Sequence, residues 1–207
     1  MMSYRSYRGD NIAPVLALII LCFLVFILTK VAGIMGHDLI PLLGLRPASF
    51  LAKPWTIVTN LFVHNTAGTI PWHLLFNMIT LYFFGTFLVR LVGTRIFLIV
   101  YFLGGIVGNI FFMLFAFIGF LASPFSIVIG ASGAIFALGG TLAVLTPRLR
   151  VYVFPIPAPM PLWVAVIGGF VLISFFPGVA WQGHLGGLVA GLIAGLILRR
   201  EVRTPLS

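Results

Sequence analysis

Residues Ile129–Arg150 read IGASGAIFALGGTLAVLTPRLR, and the class of fold follows from how this run sits in a bilayer. After Ser132 it is apolar and helix-permissive up to Pro147, where proline stops a helix, and Arg148 and Arg150 mark a water interface. Ser132 therefore stands at a helix start. A helix from Ser132 to Thr146, rising ~1.5 Å per residue, covers only ~22 Å, whereas a hydrocarbon core is ~30 Å thick. With the two arginines held at one interface, the serine lies inside the bilayer, at a helix N-terminus whose first N–H groups have no partner within the helix. A hydroxyl there is costly unless it is used. Gly130, Ser132 and Gly133 would also serve plain helix packing, and a lone G-x-S-G is common, so the serine gains chemical meaning only through partners elsewhere in the chain.

The surrounding composition sets the class. Of 207 residues, 61% are hydrophobic and 7% charged, too little polar surface to cover a core in water, so the chain reads as an all-α integral membrane protein. The net charge of +9, from 12 basic and 3 acidic residues, sits in short loops and at both ends. That distribution speaks of membrane topology and not of a nucleic-acid partner. Cys22, the single cysteine, excludes an internal disulfide. Asp10, Asp38 and Glu201 lie at or beyond the ends of apolar segments, which excludes a pair of intramembrane aspartates, and no H-E-x-x-H is present. Acid–base chemistry in this chain must use histidine; no metal and no cofactor is implied.

Six helices are expected. A polar tail, 1–12, precedes an apolar run from Ala13 to about Gly33, longer than a signal-peptide core and without a cleavage pattern, hence a retained helix. Residues 34–71 carry Pro41, Pro47, Pro54 and Pro71 and read as a long interfacial first loop with short helical pieces. Further spans follow at Trp72 to about Val92, about Ile96–Phe120, the serine helix, about Leu162–Phe176 and about Gln182–Leu198, before a basic tail, 199–207. With the N-terminus inside, Arg5, Arg8, Arg90, Arg95, Arg148, Arg150, Arg199, Arg200 and Arg203 are cytoplasmic, against Lys30, Arg46 and Lys53 outside, and both termini face the cytoplasm.

Counting back from the cytoplasmic arginines brings three polar residues to one depth. Ser132 to Arg148, His184 to Arg200 and His73 to Arg90 each cover ~24–26 Å of helix. Asn77 lies one turn deeper than His73 on the same face. A serine needs a base to become a nucleophile, and with no acid nearby a Ser–His dyad is implied. His73, the Asn77 amide and the Ser132 N–H suit an oxyanion. Depth alone leaves the choice of base open. Packing favours His184: Gly183, Gly187, Gly191 and Gly195 form a smooth stripe that would fit a groove at Gly133 and Ala137, with Phe136 against the imidazole.

Taken together, His73-x-x-x-Asn77, Gly130-x-Ser132-Gly133 and His184-x-x-Gly187-x-x-x-Gly191 resemble the rhomboid family of intramembrane serine proteases, over roughly Trp55 to Gly191. The resemblance implies one six-transmembrane-helix domain over 1–207, with Ser132 as nucleophile, His184 as base and His73 with Asn77 as oxyanion hole. It further implies transmembrane-helix protein substrates cut within the lipid bilayer. The chain is expected in a prokaryotic plasma membrane. Oligomeric state is left open. Thr56 follows Trp55 where many members carry arginine, and Val89 stands where some carry glutamate. His64 matches a structural histidine of the family, and His37 reads as an interfacial polar residue. The fifth span is expected to gate lateral entry, with Phe175, Phe176 and Trp181 closing the gap. A catalytically inactive rhomboid-like client binder and, more remotely, a small transporter are the alternative readings; no inverted repeat supports the latter.

Overall fold

A computed structural model describes residues 11–153, 156–176 and 178–203, with side chains described through residue 199. Arg5 and Arg8 of the expected N-terminal tail, Pro177, the side chains of Arg200 and Arg203, and residues 204–207 lie outside the described residues. The helices run α1 (Ala13–Ile34), α2 (Ile40–Leu43), α3 (Thr56–Thr59), α4 (Trp72–Val92), α5 (Thr94–Ile118), α6 (Ser132–Leu145), α7 (Leu162–Ser174) and α8 (Trp181–Arg203). Two 3₁₀ turns, Pro47–Ala52 and Asn60–Phe62, complete the first loop.

The six apolar helices expected from the sequence are all present, close to their expected limits. Gly93, at φ +86°, makes the reversal between α4 and α5, a backbone angle that side-chain-bearing residues resist. Four of the helices, α1, α4, α5 and α8, are long and apolar enough to cross a bilayer. The other two are shorter: α6 has 14 residues and α7 has 13, or ~21 and ~20 Å of rise. The expected fifth span is thus trimmed. The shortening is at its C-terminal end, while its start at Leu162 follows directly on a feature that the proline-rich link concealed, a small antiparallel hairpin of β1 (Arg150–Val151) and β2 (Met160–Pro161).

The serine helix is the centre of the bundle. Ala134, Ala137, Leu138 and Leu142 of α6 are wholly buried, with α4, α5, α7 and α8 around them. The glycine stripe of α8 docks where the sequence places it. A side chain at Gly187 would overlap the Gly133 carbonyl, and one at Gly191 would overlap the Ala137 carbonyl. Backbones this close gain dispersion and allow direct bonds: Thr141 Oγ1 donates to Gly191 O across the interface at 3.0 Å. The opposite side of α8 meets a second small-residue face, on α5, where Gly108 approaches Gly183 and Phe111 covers Gly186. On the outside of α4 lies α1, burying Val15, Leu18 and Cys22.

Side chains lace the first loop to its own backbone. Trp55 Nε1 donates to Leu42 O (3.0 Å), Lys53 Nζ to Pro41 O (2.9 Å), Thr59 Oγ1 to Leu43 O (2.7 Å) and Thr56 Oγ1 to Lys53 O (2.7 Å). Thr56, next to Trp55, is buried within this lacing, and Val89 is part of the apolar core.

Candidate active site

Ser132 is the first residue of α6, and His184 lies in the first turn of α8. The Gly133–Gly187 contact, one residue beyond the serine and three beyond the histidine, brings the two helix starts together. Ser132 Oγ lies 2.7 Å from His184 Nε2. His184 is 7% exposed, and its ring is tilted 36° against Phe136, centroids 4.8 Å apart. Among the described residues its Nδ1 has no hydrogen-bonding partner, so no carboxylate orients the imidazole. For Nε2 to accept the serine hydrogen, Nδ1 must carry the ring hydrogen. The aromatic face of Phe136 is then what holds the ring, and it would also favour an imidazolium.

His73 lies on the other side of the serine. Its Nδ1 accepts the backbone N–H of Asn65 at 3.2 Å, which in the neutral ring leaves the hydrogen on Nε2. His73 Nε2 and Cε1 are each 2.9 Å from the point where a side chain at Gly130 would begin, and Ser132 Oγ is 3.8 Å from the same point. His73 and Ser132 therefore converge over the bare face of Gly130. Glycine is required there twice over, by that contact and by a φ of +117°.

Asn77 is buried on α4, one turn from His73, but its amide is turned toward its own helix. Nδ2 donates to His73 O at 2.6 Å, while Oδ1 has no partner among the described residues. An amide nitrogen carries two hydrogens, so one remains for a reacting oxygen. Asn77→Ala is accordingly expected to lower turnover by about 10²–10³ at most, the range for one oxyanion donor, with little change in KM. Steady-state kinetics check this; a rise in KM with kcat unchanged would make Asn77 a packing residue.

Three other expectations meet the structure here. His64 is wholly buried in the first loop, its ring centroid 5.2 Å from that of His73. Its Nδ1 donates to Phe62 O at 3.2 Å, and burial, aided by His73, lowers its pKa to about 3, so it stays neutral. His37 stands exposed in the turn after α1. Trp181 differs from its expected role: it packs edge-on against Phe115 of α5, centroids 5.6 Å apart. The aromatic contact between α7 and the serine helix is instead Phe170 on Phe136, at 5.8 Å and 89°, while Phe175 is 82% exposed beyond the end of α7.

The approach to Ser132 is held by residues that sequence reasoning passed over. Leu45 and Val128 exchange backbone hydrogen bonds of 3.0 and 2.8 Å, and Gly130 N donates to Asn60 O at 2.9 Å. The first loop thus supports the segment that enters α6. No residue pattern announces such backbone pairing.

Comparison with known proteins points to one family. A family model described as Rhomboid domain matches residues 51–201. Rhomboid protein 1, mitochondrial, of Saccharomyces cerevisiae is 30% identical over 149 residues, 69% of this chain and 41% of that protein. Rhomboid-like protease 3 of Toxoplasma gondii is 32% identical over 165 residues, 75% of this chain and 56% of that one. Rhomboid protease GluP of Bacillus subtilis is 30% identical over 179 residues, 85% of this chain and 32% of that one. The chain spans between 32% and 56% of the length of these relatives.

Proposed function

Because the chain belongs to the rhomboid family and is a multi-pass integral membrane protein, we propose that it is an intramembrane serine endopeptidase that cuts transmembrane segments of other proteins with a Ser132–His184 dyad. The 2.7 Å approach of His184 Nε2 to Ser132 Oγ carries this reading. Ser132 Oγ attacks the scissile carbonyl as His184 Nε2 takes its proton. The oxyanion receives the Ser132 backbone N–H, the His73 Nε2–H and the second Asn77 hydrogen. His184 then returns the proton to the leaving amine, and water, activated by the same imidazole, releases the acyl group from Ser132. Protease-named relatives support the reaction class.

The test is labelling with a serine-directed fluorophosphonate. Wild type is expected to label and Ser132→Ala not. Absence of label from the wild type, or label that survives in Ser132→Ala, would favour a client-binding relative without activity.

The whole chain, 1–207, is read as one membrane domain, placed in a prokaryotic plasma membrane with both termini cytoplasmic. The exposed Arg90, Arg95, Arg148 and Arg150, all on the side away from Ser132, support that orientation. Substrate must arrive sideways from lipid, and α7 is the movable wall: it is short and rests mainly on α6. Phe175→Ala combined with Phe176→Ala, both exposed at the end of α7, is expected to speed cleavage of transmembrane substrates severalfold while fluorophosphonate labelling, which needs no lateral entry, keeps its wild-type rate. Unchanged or slower cleavage at constant labelling would place entry at the first loop.

A further inference from the structure

The pair that ties the first loop to α5 is one hydrogen bond from Gly130, two residues before Ser132. Asn60 and Asn109, 1% and 5% exposed, face each other with reciprocal amide bonds: Asn60 Nδ2 donates to Asn109 Oδ1, and Asn109 Nδ2 to Asn60 Oδ1, both at 2.9 Å. The second Asn109 hydrogen goes to Ile57 O at 2.8 Å, one turn earlier in the same loop. Asn109 thereby fixes both the side chain of Asn60 and the backbone preceding it. The carbonyl of Asn60, so held, accepts the N–H of Gly130. Gly130 is the residue whose bare face His73 and Ser132 share.

A closed ring of amide bonds in a buried site is directional in a way that apolar packing is not, since each bond weakens when its angle departs from linearity. Burying two amides only to join a loop to a helix would be an expensive choice, because apolar residues of the same shape could do it at similar stability. What the amides add is orientation. The peptide planes from Gly130 to Ser132 determine where the Ser132 N–H points, and an oxyanion donor is effective only when aimed at the oxygen's position in the transition state.

We propose that Asn60 and Asn109 are positioning residues for the reaction, their amide pair holding the Asn60 carbonyl so that Gly130 and the Ser132 N–H present a correctly aimed oxyanion site. This rests on the endopeptidase reading. Neither residue touches substrate; both act through Gly130.

The test compares wild type with Asn109→Leu and with the double variant Asn60→Leu/Asn109→Leu, in which no side-chain amide is left unpaired. Turnover of a transmembrane substrate is measured on the folded fraction, together with KM, thermal stability, and the affinity of a peptide aldehyde that forms a reversible tetrahedral adduct on Ser132. Expected in both variants is a fall of kcat by about 10–100-fold, the size of effect that slight misplacement produces. KM should stay near its wild-type value, and aldehyde affinity should weaken by a similar factor to kcat. The double variant should melt at a higher temperature than the single one yet remain equally slow. Wild-type kcat and aldehyde affinity per folded molecule, whatever the melting temperature, would overturn the proposal and leave the pair as a loop anchor. A wild type that neither cleaves nor takes the fluorophosphonate would instead overturn the endopeptidase reading, and this proposal with it.

Discussion

Cleavage by Ser132→Ala, and equally by His184→Ala, is expected to fall by a factor on the order of 10⁴–10⁶, to background, and the double variant to be no worse than either. Nucleophile and base act on one proton. With Oγ and Nε2 2.7 Å apart and, among the described residues, no acid on Nδ1, removing either takes away the proton transfer between them. The two variants should differ in stability. Ser132 is half-buried at a helix start, so its loss leaves the bundle intact, whereas His184 packs against Phe136 and its loss opens a void. Thermal melting should fall more for His184→Ala. Substantial activity in that variant would move the base to another group, His73 first.

Gly187→Val is expected to abolish cleavage from a distance. The added side chain would overlap the Gly133 carbonyl oxygen and come within 2.8 Å of its carbon, and backbone cannot rotate aside as a side chain can. Helices α6 and α8 must separate, and His184 leaves Ser132, because the contact lies one residue beyond the serine and three beyond the histidine. Overpacking typically costs about 1–3 kcal/mol, so the melting temperature should drop as well. The control is Gly33→Val near the end of α1, where a side chain would meet nothing within 4 Å and activity should be unchanged. Wild-type cleavage by Gly187→Val would show that the stripe does not set the distance between serine and histidine.

The helices were legible because their ends are written in local chemistry. Pro147 stops α6, a proline-rich link leads into α7, and Arg90 and Arg95 bracket the turn between α4 and α5, and each acts within a few residues of itself. Ser132, His184 and His73 were legible because regular helices convert sequence separation into depth. The fit of Gly187 and Gly191 to Gly133 and Ala137 followed from the four-residue spacing on both sides. What stayed hidden depends on tertiary direction. The Asn60–Asn109 pair joins a loop to a helix far along the chain, and two isolated asparagines carry no period. Trp181 could as readily have faced α7 as α5, since an aromatic at a helix start has no intrinsic preference between neighbours. The orientation of the Asn77 amide, turned to His73 O, is a rotamer choice that composition cannot contain. The β1–β2 hairpin lies in a proline-rich stretch whose signals argue against regular structure.

Cleavage itself remains the deciding observation. Purified protein in lipid vesicles would be incubated with a panel of single-span membrane proteins, wild type beside Ser132→Ala, and the product masses read by mass spectrometry. The expected result is paired fragments that map a cut within or at the edge of a transmembrane segment in the wild type, and intact substrate with Ser132→Ala. Intact substrates throughout the panel with the wild type, or the same fragments from Ser132→Ala, would contradict a serine dyad acting inside the membrane.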